Sequence, residues 1–172
     1  MWKTLQQIAR VGIVTEPPAL IDEQLRLRQR LQEHVLRILG RSLCIRAVDA
    51  GSCNGCELEM QALNNPIYNL EGLGIRFVAS PRHADLLLVT GPVARNMEVA
   101  LRQVYAATPD PKLVVAIGDC GCTGGIFGES YATCGPVSRV IPVDVAVPGC
   151  PPSPSRILAG ILTAISASPA SS

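Results

Sequence analysis

The sequence has few aromatic residues, few charges and no long apolar run, and each shortage excludes a class of protein. Only 3% of its 172 residues are aromatic, so the core must be aliphatic. With 17% charged residues and a formal net charge of +1, the chain has no polybasic face, which argues against nucleic acid or anionic lipid as its main partner. No run reaches the roughly 20 apolar residues that a membrane-spanning helix needs.

The chain also lacks the features of an exported protein. Its first residues contain no apolar export segment, no twin arginine and no small-residue cleavage site, so we expect a cytoplasmic location. Seven cysteines in a reducing compartment are poor candidates for structural disulfides, and an odd number fits complete pairing poorly. The cysteines therefore favour metal ligation or thiol redox chemistry.

Hydrophobic residues make up 48% of the chain, which allows one substantial core and leaves apolar surface for a partner to cover. We predict a single α/β domain over residues 41–168. Before it, residues 1–40 are expected to form a helical segment that packs on a partner or on a membrane surface, with apolar positions between 20 and 39 on one face and Gly40 as a stop. Residues 169–172 are expected to be a frayed tail.

Within the domain, short aliphatic runs alternate with helical patterns. The runs predict strands buried on both faces at residues 43–50, 75–80, 85–91, 112–119 and 140–147. The helical patterns cover residues 55–63, 93–107 and 153–167. Strands that alternate with helices predict a parallel, doubly wound sheet.

This layout places most of the cysteines after strands. Cys53 and Cys56 follow the first strand, Cys120 and Cys122 follow the fourth, and Cys150 follows the fifth. Loops at the carboxyl ends of parallel strands converge on one crevice, so distant parts of the chain can build a single site there.

An iron-sulfur cluster is the chemistry that suits such a site best. A cluster needs four thiolates and accepts ligands that are far apart in sequence, while nearby glycines let the backbone approach and donate N–H groups to the cluster sulfurs. A lone C-x-x-C pair is equally open to zinc or to thiol–disulfide exchange, so both remain alternatives.

Four segments in order resemble one known family: GSCNGCELEM, SPRHADLLLVTGPV, VVAIGDCGCTGGIF and IPVDVAVPGCPPSP. They are similar to the small electron-transfer subunit shared by membrane-bound nickel-iron hydrogenases of the formate hydrogenlyase type and by respiratory complex I. The resemblance runs from about residue 43 to residue 165. It implies a flavodoxin-like parallel sheet that carries one 4Fe-4S cluster beside a large catalytic subunit.

The resemblance also implies a ligand set. The family's ligand positions match Cys53, Cys56, Cys120 and Cys150, and leave Cys122 outside the pattern. We interpret Cys122 as a small residue facing the cluster, with a ligand swap as the alternative. Cys44 and Cys134 match no ligand position of the family. We predict no redox role for them, because a buried cysteine is commonly just a small hydrophobic residue.

Three further residues near the motifs receive hypotheses. Glu57 follows the C-x-x-C pair, as in the hydrogenase branch, and is either a proton-transfer group or a helix-capping residue. Arg82 matches an arginine that the family keeps close to the cluster, where a cation would raise the reduction potential, and pairing with Asp85 is the alternative. His83 is expected to be an ordinary surface histidine.

The function implied by the resemblance is a one-electron relay. The subunit would pass electrons between a ferredoxin-like polyferredoxin subunit and the large catalytic subunit, in a complex with membrane subunits, peripherally on the cytoplasmic side of the inner membrane. Two alternatives remain. One is a complex I-type subunit that donates electrons to quinone, which the C-x-x-C-E pair disfavours because complex I carries two adjacent cysteines at that position. The other is a zinc-stabilised interaction module.

Overall fold

The computed structural model describes residues 40–167, together with the isolated positions Gln6, Arg26, Gln29 and Glu33. The predicted N-terminal helical segment at residues 1–40 lies almost entirely outside these residues, and the predicted frayed tail at residues 169–172 lies wholly outside them. No helix in the described part of the chain is long and apolar enough to cross a bilayer.

Five parallel strands form one sheet in the described region. In chain order they are β1 (Leu43–Asp49), β2 (Ile75–Phe77), β3 (Leu86–Thr90), β4 (Leu113–Ile117) and β5 (Val145–Val147). Their spatial order is β2-β1-β3-β4-β5, and every neighbouring pair is parallel. This is the strand order of flavodoxin-like folds, so the predicted fold class is confirmed.

Helices cover both faces of this sheet. They are α1 (Gly55–Ala62), α2 (Arg95–Ala107), α3 (Gly118–Thr123) and α4 (Pro154–Ala167), with short 3₁₀ helices at Glu71–Leu73, Pro81–His83 and Val137–Arg139. The short α3 helix was not predicted, because its sequence, GDCGCT, has glycines where a helix normally has strong helix formers.

The central strand β3 divides the aliphatic core into two layers. Its side chains alternate, with Leu86 and Leu88 in the layer beneath α1 and α4, and Leu87 and Val89 in the layer beneath α2. All five residues of β3 are buried, as the continuous apolar run predicts for a strand covered on both faces.

The two edge strands are shorter than predicted. β2 covers residues 75–77 of the expected 75–80, and Arg76 is exposed at its centre. β5 covers residues 145–147 of the expected 140–147, because the chain leaves a 3₁₀ helix at Arg139 and joins the sheet only at Val145. The prediction that every strand is buried on both faces was wrong for these two strands, because the middle residue of each, Arg76 and Ala146, is exposed.

Candidate metal centre

The loop after β1 delivers the first two cysteines. Asp49 ends the strand, and its Oδ1 accepts hydrogen bonds from the backbone N–H groups of Gly51 and Ser52, both at 2.8 Å. These bonds turn the chain sharply out of the sheet, so that Cys53 is exposed and Cys56 is buried in the first turn of α1. The turn thus points two thiols towards the same edge of the sheet.

The third cysteine lies in α3, which starts directly after β4. Gly118 opens this helix with φ +82°, and a Cβ atom built on it would lie 2.7 Å from the Cys56 Sγ. After the end of α3, Gly125 also has positive φ, at +55°, and a Cβ atom built on it would lie 2.8 Å from the Cys120 Sγ. Two glycines therefore leave room for sulfur atoms that a side chain would displace.

The fourth cysteine follows β5 and is tied to the third. The Asp119 N–H donates to the Gly149 carbonyl at 2.8 Å, and the Gly149 N–H donates to Asp119 Oδ1, also at 2.8 Å. The residue before Cys120 thus holds the residue before Cys150. The Cys150–Pro151 peptide bond is cis.

These loops enclose one small cavity at the carboxyl edge of the sheet, with a volume of about 130 Å³. All four predicted ligands line it: Cys53, Cys56, Cys120 and Cys150. Its remaining walls are Ser52, Gly55, Gly91, Asp119, Gly149 and Pro151. Within residues 40–167, no three Cys, His, Asp or Glu side chains are grouped closely enough to hold a single metal ion.

The cavity is unfavourable for thiolates on their own. Burial is the largest cause, and together with the negative charges of Glu57 and of the other three cysteines it raises the pKa of Cys56 to about 12. Burial also raises the pKa of Cys120, with Cys150 and Cys53 adding to the effect. A positively charged metal core would offset this repulsion, because a coordinated thiol is deprotonated. Four thiols around one cavity are the donor set of an iron-sulfur cluster.

Glu57 accepts hydrogen bonds from two hydroxyl groups. Ser52 Oγ donates to its Oε2 at 2.6 Å, and Thr90 Oγ1, which is completely buried at the end of β3, donates to its Oε1. The Asn54 side chain does not cap α1, and Glu57 does not cap it either, because the Asn54 N–H bonds to Ser52 Oγ. Glu57 also lines a second cavity of about 250 Å³, and it directly follows Cys56 along the chain.

Cys122 does not line the cysteine cavity. Its Sγ donates to the carbonyl of Ala116 at 3.6 Å and packs into the core layer beneath α2. Residues two apart in a helix point in nearly opposite directions, so Cys120 and Cys122 cannot face one side together. The Cys122 S–H therefore does not face the cysteine cavity, and that part of the interpretation was wrong.

The remaining two cysteines lie elsewhere. Cys44 is buried near the start of β1, where Arg76 Nε donates to its Sγ at 3.3 Å. Cys134 is buried against α2, and its Sγ donates to Glu98 Oε2 at 3.4 Å. Neither lines the cysteine cavity.

Arg82 and His83 lie at the opposite edge of the sheet from the cysteines. Both line a cavity of about 350 Å³ with Leu43 and Leu113, the first residues of β1 and β4. At about 3.3 Å per residue, a five-residue strand separates the two edges by roughly 16 Å. The expectation that Arg82 lies beside the cysteines was thus wrong. So was its pairing with Asp85, which instead binds Arg41 at 2.6 Å.

Two residues of the site were missed from the sequence. Asp49 ends β1 and Asp119 lies two residues after the end of β4, and each bonds to the backbone of a cysteine loop. The available signal was an aspartate at or just after the end of a strand and within two residues of a glycine, because such aspartates bond readily to nearby backbone N–H groups.

The fold and these loops define a parallel α/β protein whose crevice at the carboxyl ends of the strands is lined by four cysteines. The sequence matches the family of NADH ubiquinone oxidoreductase 20 kDa subunits over residues 53–164, and the chain belongs to that family.

Two proteins with similar sequences are named as subunits of hydrogenase-type complexes. A probable membrane-bound hydrogenase subunit of Pyrococcus furiosus is 48% identical over 143 residues, covering 83% of this chain and 85% of the relative. Formate hydrogenlyase subunit 7 of Escherichia coli is 40% identical over 148 residues, covering 86% of this chain and 57% of the relative, so the chain spans little more than half of that protein. The resemblance stated from the motifs is confirmed.

A solved structure is similar as well. It is a chain of a membrane-bound sulfane sulfur reductase, described as an archaeal respiratory membrane complex. The sequence identity is 34% and the TM-score is 0.64, with 84% of this chain and 75% of that chain covered. The relatives are subunits of oxidoreductase complexes, so the partners of a protein of this family are other subunits of such a complex.

Proposed function

We propose that the chain carries one 4Fe-4S cluster on Cys53, Cys56, Cys120 and Cys150, and transfers electrons to the large catalytic subunit of a membrane-bound hydrogenase complex. The observation that carries this proposal is the convergence of these four thiols on one cavity from three separate loops. Family membership and the hydrogenase names of the relatives support it. A bound cluster would supply reversible one-electron chemistry.

The residues of the chain have distinct tasks in this proposal. The cysteines bind the cluster, and the core strands fix their loops. The glycines at 118 and 125 leave space for sulfur atoms. Cys53 and Cys150 are exposed, so the cluster would lie close to the surface, where a partner can cover it and exclude water.

Apolar surface beside the cavity supports a partner at this edge. Ile126 is 94% exposed and Phe127 is 55% exposed, directly after Gly125, where a Cβ atom would lie 2.8 Å from the Cys120 Sγ. Such side chains are commonly buried by another subunit. We infer that the large subunit covers this edge. The wider complex would include a polyferredoxin subunit as electron source and membrane subunits, with this chain peripheral on the cytoplasmic side of the inner membrane.

The test of the cluster is metal analysis and low-temperature EPR on the anaerobically purified chain, before and after dithionite. We expect about four iron atoms per chain and a spin-half signal on reduction. Serine substitutions of the four ligands should each reduce the iron content and alter the signal, whereas Cys122→Ser, the matched control, should do neither. One zinc per chain with no signal would instead support the zinc-stabilised interaction module.

Glu57 is proposed as a proton-transfer group for the large subunit. It follows Cys56 directly and lines the second cavity, which is space that a proton carrier can enter. Glu57→Gln in the assembled complex should lower turnover while leaving the EPR spectrum unchanged. Glu59→Gln, on the same helix, is the control. Unchanged turnover in Glu57→Gln would remove this role.

Quinone reduction is a second candidate, favoured by one observation. The cavity beside Glu57 has apolar walls that include Phe77 and Val78, and it contains Arg46, whose buried Nε has no hydrogen-bond partner among the described residues. A quinone carbonyl oxygen would satisfy such a donor. Assays of the purified complex with hydrogen and with a soluble quinone distinguish the two functions, since each predicts activity with one substrate and none with the other.

A further inference from the structure

Asp119 joins the loops of two proposed ligands. Its backbone N–H and its carboxylate bond to the carbonyl and the N–H of Gly149, each at 2.8 Å. These residues are 30 positions apart in sequence, yet each directly precedes a cysteine of the cavity. The pair of bonds therefore fixes the separation of Cys120 and Cys150 within the described structure.

The same bond pair occurs at the opposite edge of the sheet. Asp144 bonds through its N–H to the Val114 carbonyl at 2.9 Å, and its Oδ2 accepts from the Val114 N–H at 2.7 Å. This pair also joins β4 to the β5 segment, but it lies away from the cysteine cavity. Asp144 therefore provides a matched control, with the same chemistry and the same two strands and without a ligand nearby.

The Asp119 carboxylate also brings negative charge to the cavity. It forms part of the cavity wall, and no Lys, Arg or His among the described residues forms an ion pair with it. A fixed negative charge beside a group that accepts an electron disfavours the reduced state. The charge and the hydrogen bonds thus act on the same two cysteines in different ways.

We propose that Asp119 is a positioning residue that clamps the Cys120 and Cys150 loops for cluster binding, and that its carboxylate lowers the cluster's reduction potential. This inference rests on the proposed cluster. The two parts separate experimentally, because asparagine keeps an oxygen that can accept from Gly149 while removing the charge, and alanine removes both.

The charge is tested on the full chain, reconstituted anaerobically with iron and sulfide, by EPR-monitored redox titration. Asp119→Asn should bind as much iron as wild type, with its reduction equilibrium shifted about tenfold towards the reduced form, which is about 59 mV for one electron. Asp144→Asn should leave the potential unchanged. A potential equal to wild type in Asp119→Asn would overturn the charge effect.

The clamp is tested without any cluster, by hydrogen exchange at the Gly149 amide in the cluster-free chain. In Asp119→Ala the Gly149 amide should exchange about tenfold faster than in wild type, because the carboxylate that accepts from this N–H is lost. In Asp119→Asn the exchange of the Gly149 amide should remain close to wild type. In a separate reconstitution with iron and sulfide, Asp119→Ala should also retain less iron than Asp144→Ala. Wild-type exchange and wild-type iron retention in Asp119→Ala would overturn the clamp.

These outcomes are distinguishable from failure of the proposed function. A wild-type chain that binds zinc and no iron would overturn the cluster, and with it the effect on potential, while the exchange of Gly149 would still decide whether the clamp exists. Far-UV circular dichroism of each variant checks its folding. If the alanine variant does not fold, Asp119→Asn still tests the charge effect, and the Gly149 amide of the wild-type chain still tests the clamp, because an amide held by Asp119 must exchange slowly and a rapidly exchanging one would overturn the clamp.

Discussion

Replacing Gly118 by alanine should destabilise the cluster-free protein and impair metal binding together. Gly118 has φ +82°, and its new Cβ would lie 2.7 Å from the Cys56 Sγ and 3.4 Å from the Gly149 carbonyl oxygen. A left-handed backbone costs an L-residue roughly 1–2 kcal/mol. Overpacking a buried site costs about 1–3 kcal/mol more. The expected loss, roughly 2–5 kcal/mol, is a large part of the roughly 5–15 kcal/mol that stabilises a typical domain.

Gly128→Ala provides the matched control for this variant. Gly128 also has positive φ, at +54°, but a Cβ atom built there has nothing within 4 Å. The backbone cost and the change in the unfolded chain are therefore comparable in the two variants, and the contacts of the new Cβ atom with Cys56 and Gly149 are what differ. The difference of about 1–3 kcal/mol should separate the two urea midpoints by about 0.5–1.5 M.

The assay is urea unfolding of both cluster-free variants, followed by iron reconstitution. We expect Gly118→Ala to unfold at lower urea than Gly128→Ala and to bind less iron, because the Cys56 sulfur must move away from the other ligands. Equal midpoints and equal iron content in the two variants would refute the argument that Gly118 makes room for a cluster ligand.

Two further predictions concern the stability of the cluster-free chain. The pKa of Cys56 is raised in the folded state from 9.0 to about 12, so folding favours the neutral thiol. The contribution of this thiol to the free energy of unfolding should therefore be complete below pH 9 and be lost as the pH rises from about 9 to 12. Urea titrations across that range should show this loss, and Cys56→Ser should show a flatter profile. Leu88→Ala, in the fully buried β3 strand, should cost about 2–5 kcal/mol in urea unfolding. The same substitution at Ile126, which is 94% exposed, should change the unfolding free energy by less than about 0.5 kcal/mol, and a similar loss at both positions would contradict the assigned core.

The fold was predictable where the hydrophobic pattern was continuous. The run at residues 85–91 predicts β3 to within one residue at each end, because a central strand covered on both faces needs apolar side chains throughout. The run at residues 140–147 misled, because Val140 and Ile141 are buried in the core beneath α2 without being part of a strand. Apolar periodicity reports burial, and burial does not require hydrogen bonding to a sheet.

The candidate site was predictable in its members and less so in its surroundings. The four cysteines of the motifs line one cavity, since all of them follow strands and parallel strands end at the same edge. Arg82 shows the limit of a motif match: it precedes β3, so the parallel sheet carries it to the amino edge, away from the cysteines.

The sequence by itself determined the family, the parallel α/β fold and the four candidate ligands, because these depend on residue types and their order along the chain. Only the tertiary structure decided the direction of Cys122, the bonds between Asp119 and Gly149, and the two hydroxyl partners of Glu57. Each of these depends on which way a side chain points and on which distant loop lies within hydrogen-bonding distance. The pattern of residues along a chain does not contain that information until the strands are paired and the loops are packed.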